Sequence, residues 1–180
     1  MTKNPVLATT LSVMFLILSV LAMILPGVLG KIVGMFLLPL LFVLLAGILV
    51  GSALPAAIGI IAPIVAFFIV GEGNFLSDAL PVSLGLMAAG IMSGIIYGRY
   101  GTAIGSVIAG VLFAALVYGL AKMLFMLMLG ESYKTIDYLG EFFPEKIPGL
   151  VLIFLGAPLL VWLLRKAGIT KVLRDEEISK

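Results

Sequence analysis

Residues Tyr100–Ala121 read YGTAIGSVIAGVLFAALVYGLA, a run without a single charge, and the next residue is Lys122. A helix needs about 20 mostly apolar residues to cross a bilayer, so this stretch is long enough for one crossing. Asn4–Gly30, Ile32–Gly71, Ala79–Gly98 and Ile147–Leu164 also lack Asp, Glu, Lys and Arg. Ile32–Gly71, at 40 residues, has room for two spans. Lys122 alone sits well inside an apolar stretch; the other nineteen charged residues lie at the ends of these runs or between them.

Composition agrees with this pattern. The chain is 63% hydrophobic and 11% charged, with a mean hydropathy of +1.32. A water-soluble domain of 180 residues has too little interior to hide that much apolar surface. The sequence contains no Cys and no His. Disulfides, thiol chemistry, zinc or haem ligation through those residues and a Ser-His-Asp triad are therefore excluded. No cofactor is expected, and the small net charge of +2 gives no reason to expect nucleic-acid binding. The first apolar segment is long, has no basic cluster before it and is followed by further spans. It reads as a retained first helix, not a signal peptide.

The fold expected is an all-α integral membrane protein, a bundle of six transmembrane helices. They are placed at Val6–Leu25, Val33–Val50, Leu54–Val70, Pro81–Tyr97, Thr102–Leu129 and Ile147–Leu164. Residues 1–166 form this domain, and 167–180 a short charged tail. Alternating strand patterning is absent, which argues against a transmembrane barrel. Pro39 and Pro63 are expected to kink the second and third helices. Basic residues set the orientation. With both termini inside, Lys3, Arg99, Arg165, Lys166, Lys171, Arg174 and Lys180 face the cytoplasm, against Lys31, Lys134 and Lys146 outside. The outer loops then fall at 26–32, 71–80 and 130–146, and the short turns 51–53 and 98–101 lie inside.

Small residues recur at four-residue spacing: Gly47 and Gly51; Gly85, Ala89 and Ser93; Gly90, Gly94 and Gly98; Gly101, Gly105 and Ala109. Such stripes let helix backbones approach closely in lipid. They fit a tightly packed bundle, or one stripe presented to a protein partner.

Three places carry polar chemistry. Lys122 lies about 30 Å along its helix from the inner end, with Tyr118 one turn below on the same face. It either snorkels its ammonium to the outer headgroups or faces the bundle and binds an anionic group of a solute. The loop holding Glu72, Asn74, Phe75, Ser77 and Asp78 offers acceptors and a stacking ring at the outer mouth, or is an ordinary turn in which Ser77 or Asp78 caps the fourth helix ahead of Pro81. The segment 130–146 holds six charges and four aromatic residues, which serve as an interfacial belt or as a lid. Trp162, the sole tryptophan, reads as an interfacial anchor near the inner end of the sixth helix.

No nucleophile–base pair or clustered metal ligand supports catalysis. No carboxylate lies inside an expected span, which weakens a proton- or sodium-coupled carrier. Broken helices at the prolines keep sodium binding open, and a filter motif or charged ring for a channel is absent. A small binding subunit that relies on partners for energy remains. In size, helix number and the Gly/Ala-rich stretches Leu38–Gly51, Ala57–Ile64 and Pro81–Tyr97, the chain resembles the membrane-embedded S component of an energy-coupling factor (ECF) transporter. The resemblance covers about Val6 to Lys166. It implies capture of a vitamin or related micronutrient at the outer face of a prokaryotic cell membrane. Delivery inward would require a transmembrane coupling subunit and two ATPase subunits, with no hydrolysis by this chain. The family's paired small residues on helix one, which contact the coupling subunit, correspond to Ala8 and Ser12, with serine replacing the usual second alanine. The resemblance also implies a substrate site near the outer face, in the regions of Lys31, Ser83, Tyr118, Lys122 and Tyr133, with Asn74 and Glu72 at the mouth. The alternative is a stand-alone small secondary carrier or a structural or assembly membrane protein.

Overall fold

A computed structural model describes residues 5–24, 37–70, 74–130 and 135–166, with the backbone alone for 135–148 and 165. All regular structure among the described residues is helical. The elements are α1 (Pro5–Ile24), α2 (Leu37–Val50), α3 (Ala53–Val70), a π-helical turn (Phe75–Ala79) running directly into α4 (Leu80–Tyr100), α5 (Ala103–Met128) and α6 (Thr135–Lys166). Four segments are long and apolar enough to cross a membrane: α1, α3, the π-turn with α4, and α5. The chain is thus a multi-pass membrane protein. Leu37–Val50 and the Gly149–Leu164 part of α6 are shorter apolar helices.

Helix boundaries follow local chemistry. Gly51 ends α2 and Gly101 ends α4, both with positive φ, and the Gly101 N–H donates to the Tyr97 carbonyl at 2.9 Å. That is a left-handed cap that glycine adopts without steric cost. Pro81 lies in the first turn of α4, where a missing N–H costs nothing. Pro39 likewise falls in the first turn of the described α2, so it does not interrupt a helix interior there. Pro63 lies inside α3, which continues through it to Val70.

Two expectations are corrected. The segment 130–146, read as an outer loop, is helical from Thr135 onward, and α6 extends without a break to Lys166. The segment's six charges set it apart from the uncharged runs on either side. Charge, however, excludes a segment from the hydrocarbon and not from a helix, since Glu, Lys and Leu are all good helix formers. The segment 71–80, also read as a loop, is a π-turn from Phe75 onward that joins α4.

Packing centres on α2 and α4. Nearly every residue of α2 is buried; it touches α1, α3, α4, α5 and α6. Helix α4 lies along α5 on one side and α2 and α3 on the other. Leu40, Val43, Leu44 and Leu86 are fully buried at the centre. The outward faces carry large apolar side chains: Val13 and Ile17 on α1, Leu112 and Leu116 on α5, Leu155 and Leu159 on α6. The buried polar residues are instead serines. Ser12, Ser83 and Ser106 each donate to the carbonyl four residues back, and Ser93 to Gly90. Small residues inside, most of these serines bonded to nearby carbonyls, and bulky apolar ones outside is the arrangement that suits lipid as the solvent.

Part of the small-residue stripes is consumed within the chain. Gly47 faces Ser93, Gly90 faces Pro55, and Gly94 faces Gly51 and Ser52. A Cβ on Gly59 would stand 2.5 Å from the backbone of Leu86 and Met87. Backbone cannot yield as a flexible side chain does. Gly59→Ala is therefore expected to destabilise the protein by about 1–3 kcal/mol. Gly98, in the same helix as Leu86, has open space around it, so Gly98→Ala should be neutral or stabilising by up to about 1 kcal/mol. Thermal unfolding in detergent compares the two. Equal effects of both substitutions would show that the α3–α4 approach is not what limits residue size.

Candidate functional site

The polar groups of this bundle collect where α4 begins and α5 nears its end. Asn74 is the N-cap of the π-turn: its Oδ1 accepts from the Leu76 N–H at 3.0 Å. Asp78 answers it, with Oδ2 accepting from the Asn74 N–H at 2.8 Å. Reciprocal satisfaction of this kind resembles a capping box. The turn is wide because the Leu80 N–H reaches the carbonyl of Phe75, five residues back. Wide turns of this type occur mostly as single insertions and frequently at functional sites.

Lys122 reaches into this turn from α5. Its Nζ donates to the Ser77 carbonyl at 2.7 Å and to Asp78 Oδ1 at 2.9 Å. The lysine side chain is 16% exposed and the aspartate 51%. Neither expected role of Lys122 included a partner within the chain; here the lysine joins α5 to the start of α4. An ammonium has three protons, and two of them are in these bonds. Phe75, expected to offer a stacking face, packs its edge against Phe67 with ring centroids 5.4 Å apart and lies 6.0 Å from Phe68. The ring thereby ties the turn to the end of α3.

The other expected site residues divide. Tyr118 is partly buried one turn from Lys122 and packs against the core. Ser83 is buried and donates to the Ala79 carbonyl at 2.9 Å, so its hydroxyl proton is spent within its own helix. Lys31, Glu72 and Tyr133 lie outside the described residues. Ala8 and Ser12 are buried, on a helix that packs against α2 and α3. That stripe is taken up by the chain itself and is not open to a partner helix in this fold.

Sequence reasoning missed the pairing of Lys122 with Asp78, although a signal existed. Helices α4 and α5 are joined by a short turn at Gly101, and the two residues lie 23 and 21 positions from it. In an antiparallel pair, near-equal distances from the turn bring residues to the same depth. It also missed Ser19, whose Oγ is fully buried on α1 with no hydrogen-bond partner. Nothing in the sequence separates it from the serines that bond their own helix.

The ion pair predicts a measurable coupling. Lys122→Met and Asp78→Asn each remove one charge, and a double-mutant cycle on unfolding in detergent is expected to give about 1–2 kcal/mol of interaction. Purely additive effects would show that the pair adds nothing to stability. Asn74→Ala should cost a further amount of about 1 kcal/mol through loss of the cap.

Among known proteins, no family model, curated protein or solved structure matches the chain, so the reading of this site rests on its own chemistry.

Proposed function

We propose that the chain is the membrane-embedded, substrate-binding subunit of an ECF-type importer. In this reading it captures a vitamin or related micronutrient at the outer face and releases it inward with a coupling subunit and two ATPase subunits. The observation that supports it most is the Asn74–Ser77–Asp78–Lys122 cluster, a polar assembly at one end of an otherwise apolar bundle. Ionisable groups at the membrane are expensive and mark solute pathways. Lys122 brings a cation already oriented by two acceptors, and its third proton is available to a carboxylate or phosphate on the solute. The unsatisfied hydroxyl of Ser19, on the half of α1 that leads towards the same end, is a group that a polar solute would satisfy.

Orientation belongs to the same proposal. Six spans with both termini inside follow from the excess of Lys and Arg on one set of connections and put this cluster at the outer face of a prokaryotic cell membrane. The rival, a chain that works without partners as a carrier or an assembly factor, is favoured by one observation: the Ala8–Ser12 face is covered by the chain's own helices.

Gentle purification from its native membrane separates the two. The proposal expects a coupling subunit and two ATPases to co-purify, and a chain isolated alone or with copies of itself supports the rival. Native mass spectrometry of the isolated chain should show a retained small anion. Lys122→Met should weaken its retention by roughly 10- to 150-fold, the loss of one charged hydrogen bond. Asp78→Asn keeps the cation and should retain binding. Loss of binding in both variants would assign the pair to folding and not to the solute.

Topology has its own test. Cysteine at Asn74 should react with an impermeant reagent in intact cells, and cysteine at Arg99 should not. The opposite pattern would invert the orientation and remove the cluster from the outer face.

A further inference from the structure

The opposite end of the bundle carries a different feature. Between the start of α5 and the last turns of α6 lies an open-sided groove of about 560 Å³, lined by Thr102, Ile104, Pro158, Val161 and Trp162. Its volume falls within the range of about 300–1,000 Å³ typical of sites for small organic groups. The groove opens onto the outward faces of α5 and α6, where Ile104, Leu155 and Leu159 are exposed. In a membrane those faces meet acyl chains.

The rim is basic. Lys166 Nζ lies 5.2 Å from the centre of the Trp162 ring, and the Arg99 guanidinium 5.6 Å from that of Tyr100. Trp162 and Tyr100 are both more than half exposed. Among the described residues of this end, 5–10, 51–53, 97–105 and 158–166, there is no Asp or Glu. Among the described residues, then, neither cation is paired with a carboxylate, in contrast to Lys122 at the other end. Amphipathic aromatic rings at a helix end mark the headgroup level, and basic pockets between transmembrane helices suit acidic lipid headgroups.

We propose that this groove seats an anionic phospholipid, with an acyl chain against Ile104, Pro158, Val161 and Trp162 and the headgroup phosphate against Arg99 and Lys166. An apolar trough beneath two cations selects for a molecule with a hydrocarbon tail and an anionic head. An uncharged apolar helix would fill the trough and leave both cations without an anion. A soluble phosphate would meet the cations and leave the trough empty.

Trp162 is the only tryptophan in the chain, so its fluorescence reports on this groove alone. The experiment reconstitutes the full chain in phosphatidylcholine vesicles and titrates in phosphatidylglycerol or phosphatidylcholine carrying brominated acyl chains, which quench tryptophan on contact. The anionic lipid is expected to quench at lower mole fraction. Arg99→Gln and Lys166→Gln should each reduce that preference about five-fold, equivalent to about 1 kcal/mol per cation. Together they should abolish it, leaving quenching by brominated phosphatidylcholine unchanged. Both residues are exposed, and the native chain decides the first comparison even if a variant does not fold. Identical titrations for the two lipids would overturn the proposal, as would a preference that survives the double substitution. Trp162 unquenched by either lipid would also overturn it, since the groove would then be covered by protein.

Discussion

Close approach of backbones is the constraint on which this structure depends. In lipid there is no water to drive apolar surfaces together, so helices associate through packing and through the few polar bonds they share. Gly59 against Leu86 and Met87, Gly90 against Pro55, and Gly94 against Gly51 and Ser52 bring α2, α3 and α4 into direct backbone contact. Once these three are in place, α1 covers α2 and α3, and α5 covers α4. The interior needs no large polar network, because the buried serines that bond do so within their own helices.

The polar cluster at the start of α4 depends on that packing. Asp78 and Lys122 meet because the α4–α5 pair is held in one register from Gly101 outward. The aspartate is fixed by the Asn74 N–H and the lysine by the Ser77 carbonyl as well as by the carboxylate. Each group is thus oriented by backbone before it meets the other. A cation positioned in this way has already given up much of its rotamer freedom, which lowers the cost of ordering it for a ligand.

Much of the architecture was legible in the sequence because a segment that crosses a bilayer must be long and nearly free of charge. Uncharged runs located the helices of the described residues, four of them long and apolar enough to cross a membrane, and glycine marked the ends of α2 and α4. The same logic failed where hydropathy and helicity part company. Residues 135–146 are helical yet charged, and a criterion based on charge could see only a loop. The π-turn at 75–79 was hidden for a related reason: its residues are ordinary ones, and the five-residue spacing arises from the reach of Leu80 to Phe75. At the site, Lys122 stood out as the lone charge in an apolar run, while its partner was grouped with a loop. Charge identified the lysine, and only the pairing of α4 with α5 identified what it holds. Of the small-residue stripes, Gly47, Gly90 and Gly94 lie at contacts between helices, while Gly98 and Gly101 have open space around them. Their spacing alone did not distinguish a contact within the chain from one with another protein.

The π-turn also bears on how this segment tolerates change in length. An α-helix turns about 100° per residue, and a π-turn accommodates one residue more than an α-turn over the same rise. Removing one residue from 75–79 would let the segment close into regular α-helix without disturbing α4 below it. Because the turn itself absorbs that residue, the chain before the deletion would keep its direction about the axis, while a deletion between Asn74 and Asp78 would shorten the spacing of the cap to the carboxylate by one residue. The turn is thus a store of one residue of slack, placed where helical register decides whether the cap and the carboxylate meet. Evolution or design can add or remove a residue here and leave the membrane span intact, while rearranging the polar end of the molecule in a single step.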